Sequence, residues 1–100
     1  SSESIESITL ELLPPDTKTI LTEDEILKFT ELANELVIYQ EDNSYYEYAG
    51  QAVIFTITKT DGTQTTINAY TPFLIIDGVG YKTKYKPCNK LCSFANEISH

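Results

Sequence analysis

One hundred residues is the size of one domain, and 41% hydrophobic content is enough for an ordinary core without metals or a disulfide framework. The net charge of −8, with seven lysines as the only strong cations, excludes phosphate-backbone binding, which needs clustered positive charge. The charge is uneven: residues 1–80 hold fourteen acids against three lysines, whereas residues 81–100 hold four lysines against Glu97.

The lead Ser1–Ser7 is small, polar and acidic, the composition of a tether, and residues 1–6 are expected to be flexible ahead of a single domain over 7–99. No methionine occurs, position 1 included, so the chain is expected to have been trimmed from an exported precursor or a longer protein. No apolar run is long enough to predict a membrane span, so a soluble chain is expected.

Ser7–Leu13 alternates apolar and polar residues, with Ile8, Leu10 and Leu12 sharing a face, and reads as a half-buried strand stopped by Pro14-Pro15-Asp16. A helix follows. Thr22 and Glu25 have the spacing of a capping box, and Glu23 and Asp24 lie where the helix dipole favours acids. Ile26, Phe29, Ala33 and Leu36 form its apolar stripe, which needs a sheet to cover it.

Glu35–Gln40 reads as a strand, Glu41–Ser44 as a turn, and Tyr45–Gly50 as an aromatic run. Ala52–Tyr70 contains a hairpin whose register can be argued. A three-residue loop Thr60-Asp61-Gly62 pairs Phe55 with Ile67 and gathers the apolar side chains on one face, with Gly62 at the left-handed position. A second hairpin turns at Asp77-Gly78, placing Leu74 opposite Tyr81 and continuing to Thr83 and Tyr85. On that reading Lys82, Lys84 and Lys86 line the opposite side of the strand, an exposed face or edge whose charges discourage further pairing. Beyond Pro87, Cys88, Leu91, Cys92, Ala95 and Ile98 have helical spacing. The fold class is α+β, an antiparallel meander on one long helix, in the order β-α-β-β-β-β(-β)-α.

Four groups of residues are candidates for function. Cys88 and Cys92 lack the CxxC spacing of redox or zinc sites; buried thiols and a disulfide both remain open, the latter if Cys88 lies outside the regular helix. Tyr45, Tyr46, Tyr48, Tyr81 and Tyr85 suit a recognition surface, since tyrosine joins a flat apolar ring to a polar tip, but tyrosines also fill half-buried strand positions. Lys82 and Lys84 suit docking of an acidic partner or a plain solvated face. Glu41-Asp42-Asn43 offers oxygens to calcium but lacks EF-hand spacing and reads as a turn. No catalytic constellation is present, and the single histidine is His100. No enzyme activity, cofactor or metal is expected.

The lead Ser1–Ser7, the strand-helix start through Thr22–Leu36, and the segments Lys59–Gln64 and Ile76–Lys82 together resemble small extracytoplasmic domains of unknown function from Gram-positive lipoproteins. Strand, long helix and meander are also similar to a cystatin-type roll. The resemblance implies a place at the cell surface and carries no catalytic residues. The aromatic-rich sheet, with its missing catalytic set, is expected to make a non-enzymatic binding or interaction module whose tyrosines face the ligand from the exposed sheet face. Its partner would be a protein or a cell-wall polymer, with membrane contact only through a lost N-terminal anchor. A stoichiometric protein inhibitor of an enzyme is the alternative. Neither reading indicates an oligomeric state.

Overall fold

The structure, a computed structural model, describes residues 4–14, 16–47 and 50–98, with Tyr46 by its backbone alone. It is α+β: seven antiparallel strands form one sheet, with two helices on one face. In chain order the elements are β1 (Ile5–Leu13), β2 (Thr17–Ile20), α1 (Glu23–Asn34), β3 (Ile38–Glu41), a 3-10 turn (Ser44–Glu47), β4 (Ala52–Lys59), β5 (Gln64–Tyr70), β6 (Phe73–Ile76), β7 (Val79–Thr83) and α2 (Tyr85–Ile98). In space the strands run β2-β1-β4-β5-β6-β7-β3.

Local sequence explains most of these elements. In β1, Ile8, Leu10 and Leu12 are buried and their neighbours are half-buried or exposed, as strand alternation requires. The strand begins at Ile5, paired with Lys59, and the Ser4 carbonyl accepts from the Thr60 amide at 2.9 Å. Ordered pairing therefore starts inside the expected tether, whose first three residues lie outside the described ones. Helix α1 is capped as its sequence predicts: the Glu25 amide donates to Thr22 Oγ1 at 3.2 Å, and the Thr22 amide to Glu25 Oε1 at 2.8 Å. Phe29 and Leu32 are its buried residues, with Ile26, Ala33 and Leu36 packed at the margin.

Both hairpins adopt the registers expected of their turns. Phe55 pairs with Ile67 and Ile57 with Thr65 around a loop in which Gly62 has φ +89°. Ile76 pairs with Val79 and Leu74 with Tyr81 around Asp77 (φ 49°) and Gly78 (φ +88°), the left-handed pair that a tight two-residue turn demands. Strand β2 was not expected; Thr17–Ile20 folds back on β1 with Leu12 opposite Thr17.

The main core lies between the helices and one sheet face. Leu10, Leu12, Val53, Phe55, Ala69 and Leu74 meet Phe29, Leu32, Cys88, Leu91 and Ala95 there. Phe29 and Phe55 pack with ring centroids 4.7 Å apart and tilted by 48°, a geometry that stabilises by about 0.5–1.5 kcal/mol beyond burial.

The other sheet face differs from one end to the other. Toward β2 it carries Thr9, Glu11, Lys18, Thr56, Thr58 and Gln64 around a shallow polar groove of about 200 Å³. Toward β7, Phe73 and Ile75 point to that same face yet are buried. The segment after β3 covers them: the Tyr45 ring and the Asp42 carbonyl lie so close over Gly80 that a side chain there would collide with both.

Candidate functional site

The expected lysine row does not form. β7 ends at Thr83, and the chain turns directly into α2 at Tyr85, so only Lys82 belongs to the strand. Pro87 allows this, because a proline in a helix's first turn gives up an amide that has no partner within the helix. Strand alternation therefore cannot extend to Lys84 and Lys86. Nor is β7 an edge, since β3 pairs along its outer side with Ile38 opposite Thr83 and Gln40 opposite Lys82. Lys82 Nζ sits 5.6 Å from the centre of the Phe73 ring, a cation-π contact across the β6–β7 ladder. Lys84 lies at the junction, its amide donating to the Val37 carbonyl at 2.9 Å.

The tyrosines are also dispersed. Tyr45 is half-buried in the 3-10 turn over Gly80. Tyr81 is half-buried opposite Leu74, on the core side of the sheet. Tyr85 opens α2 and is 61% exposed. Tyr48 and the side chain of Tyr46 lie outside the described residues. The open sheet face, expected to carry aromatic rings, carries threonines at its β1–β4–β5 end.

The turn Glu41–Ser44 uses its oxygens internally. Asp42 Oδ1 accepts from the Ser44 hydroxyl at 2.7 Å and the Ser44 amide at 2.9 Å, and these bonds hold its carboxyl below the ordinary value. Asn43 Oδ1 accepts from the Gly80 amide at 2.7 Å, and the Asp42 amide donates to the Gly80 carbonyl at 2.8 Å. This pins the far end of β3 to β7. Among the described residues, no three His, Cys, Asp or Glu side chains converge to hold a metal ion.

Cys88 and Cys92 are free thiols on the inner side of α2, where it crosses the β5–β6 turn. Thr71 Oγ1 lies 3.3 Å from Cys92 Sγ and 3.7 Å from Cys88 Sγ. Cys88 donates to the Phe73 carbonyl at 3.5 Å and Cys92 to the Ala69 carbonyl at 3.4 Å. The hydrogen bond between the thiols, and then burial, raise the Cys88 thiol well above its usual range. Contact with the Cys88 thiol lowers Cys92 from its ordinary value, with burial opposing, so Cys92 is the member that gives up a proton first. The pair packs as two small apolar groups with weak donors, each directed at a main-chain oxygen.

One surface was missed in the sequence. Val37, Ile38 and Tyr39 are 41%, 48% and 62% exposed along the start of β3, and Tyr85 lies across the Val37–Lys84 hydrogen bond from them. Four exposed large apolar residues thus belong to the segments that the Lys84–Val37 bond brings together, the start of β3, the end of β7 and the start of α2. A signal was available: Leu36-Val37-Ile38-Tyr39 is apolar without alternation, so a short strand cannot bury all four. Lys84 and Lys86 stand beside the corner and form no ion pair among the described residues; the ion pairs seen are Lys28–Glu31 and Lys90–Glu35.

Comparison with family models, curated proteins and solved structures finds no match to this chain.

Proposed function

We propose that this chain is a non-enzymatic binding or interaction module that acts outside the cytoplasmic membrane. The observation that carries the reading is the exposed apolar corner of Val37, Ile38, Tyr39 and Tyr85. Isolated apolar residues on a surface are ordinary, but several on adjoining segments beside charged residues favour a contact site. Tyr39 and Tyr85 supply rigid amphipathic rings, and Lys84 and Lys86 supply a cationic rim in an otherwise acidic chain. The polar, acidic residues 1–3 ahead of β1 have the composition of a tether, as in the lipoprotein domains the chain resembles. Among the described residues no helix is long and apolar enough to cross a membrane.

The test compares the parent chain with the double variant Tyr39→Ser/Tyr85→Ser. Both positions are exposed, so stability should change by no more than about 0.5 kcal/mol each. Binding to purified cell-wall polymer and to exported proteins from a Gram-positive culture is then measured for both forms. Loss of at least about tenfold in affinity, with thermal stability unchanged, is the expected result. Equal binding by the two forms would move the function away from this corner.

A further inference from the structure

We infer that the corner binds its partner by strand addition: an extended protein segment, apolar and then acidic, pairs with the open edge of β3. This rests on the reading above, that the corner is the interaction surface. β3 ends the sheet order, so the outer side of Ile38–Glu41 presents main-chain donors and acceptors with no strand beside them among the described residues. All four of its residues are exposed, and no charge stands in its first half, where Ile38 and Tyr39 sit.

The charges around β3 set the polarity of the segment. Lys84 and Lys86 lie at the Val37 end, tied there by the Lys84–Val37 hydrogen bond, whereas Glu41 closes the opposite end. A strand antiparallel to β3 starts beside Glu41 and finishes beside the lysines. Its apolar residues then lie over Ile38 and Tyr39, and acids at its C-terminal end meet Lys84 and Lys86. The overall charge of −8 does not forbid this, because at physiological ionic strength screening acts over about 8 Å and contact charges dominate.

A second copy of this chain is the competing occupant, and two features disfavour it. Pairing β3 with β3 buries only four residues on each side, well short of the roughly 1,000 Å² of a specific interface. It also brings two acidic chains together with Glu41 of each near the contact. A longer segment avoids the first limit by running past β3 onto Tyr85.

The experiment titrates the full chain with three end-blocked peptides. One reads Thr-Val-Thr-Val-Glu-Glu, the second is the same residues in reverse order, and the third is the first with alternate main-chain amides N-methylated. Affinity is measured together with exchange protection of the Tyr39, Gln40 and Glu41 amides. Strand addition predicts that the first peptide binds about tenfold or more tightly than either other and protects β3 amides. It also predicts that Lys84→Glu/Lys86→Glu weakens the first peptide by a similar factor. Equal binding of the first and third peptides overturns strand addition but leaves the corner as an interaction surface. If no peptide binds, yet Tyr39→Ser/Tyr85→Ser still abolishes binding to wall polymer or exported proteins, the inferred segment is wrong and the corner stands. If that double variant also changes nothing, both readings fail. Self-association of the chain without peptide, removed by Ile38→Lys, assigns the edge to a second copy and overturns the inference.

Discussion

The two edges of the sheet are built differently. β2 and β3 are each four residues long, and each is hydrogen-bonded on one side only. β2 alternates half-buried and exposed residues, pairs with β1 along its whole length, and carries Lys18 in its middle. The Leu21 amide continues its ladder to the Ile8 carbonyl before Thr22 caps α1. β3 is exposed throughout, and its register slips between Ile38 and Gln40. It pairs with β7 at Ile38, Gln40 and Glu41, and its ends are tied further by Lys84 to Val37 and by Asp42 and Asn43 to Gly80. β2 carries a charge in its middle and leaves one large apolar residue, Ile20, to solvent, whereas β3 carries its charge at its end and leaves two, Ile38 and Tyr39. Since an apolar edge invites pairing, this difference is the reason the proposed contact surface is set at β3 rather than β2.

The largest effect that separates the edges should come from truncating what supports each strand. Leu12 is buried and lies between Thr17 of β2 and Val53 of β4. Leu12→Ala removes buried methyl groups and leaves a cavity, with an expected loss of about 2–5 kcal/mol in denaturant unfolding. Ile38→Ala in β3 should change stability by no more than about 0.5 kcal/mol, because that side chain is already half in water. Comparable losses for the two variants would mean that β3 is as firmly built into the fold as β2.

The same contrast governs how much could be read from the sequence. Features set by neighbouring residues were legible: the alternation of β1, the Thr22–Glu25 box, and both hairpin registers through Asp61-Gly62 and Asp77-Gly78. β2 escaped notice because Thr-Lys-Thr-Ile has one large apolar residue, and that residue, Ile20, is exposed. The location of β3 escaped because its partner β7 lies some forty residues further on, and nothing in Ile38–Glu41 names it. Lys82, Lys84 and Lys86 have strand spacing, but Pro87 is equally compatible with a helix already under way, and tertiary contacts chose the helix. The candidate site suffered most from this. Its members, Val37–Tyr39 and Tyr85, are far apart in the chain and meet only because β3 crosses to the far edge.

A smaller and more local effect is expected at Gly80, where the loop following β3 is locked down. A Cβ at this position would lie 2.6 Å from the Asp42 carbonyl oxygen and 2.7 Å from Tyr45 Cδ1. The ring can swing aside, but the carbonyl belongs to Asp42, whose own amide donates to the Gly80 carbonyl, so the backbone has to shift. Gly80→Ala should cost about 1–3 kcal/mol, the range for overpacking a filled site. Hydrogen exchange should speed up at Asp42 and Ser44 and remain slow in β1 and β2. Uniform acceleration across the sheet would show that the β3 end is not a separable unit.

The smallest effect belongs to β2 and has the opposite sign. Thr17 Oγ1 is buried and has no hydrogen-bond partner among the described residues. A hydroxyl loses its water when the strand closes on Leu12, and without a replacement bond that desolvation counts against folding. Valine has the same branched shape and suits a strand equally well, so Thr17→Val removes the cost while keeping the packing. A gain of up to about 1 kcal/mol in unfolding free energy is expected. Thr19→Val provides the control, because Thr19 is half-buried on the same strand and its hydroxyl is not among the unpartnered buried atoms. A gain at position 17 alone ties the effect to the stranded hydroxyl. Equal gains at both positions would trace it to strand propensity, and a loss at position 17 would show that the hydroxyl contributes a bond of its own to this edge.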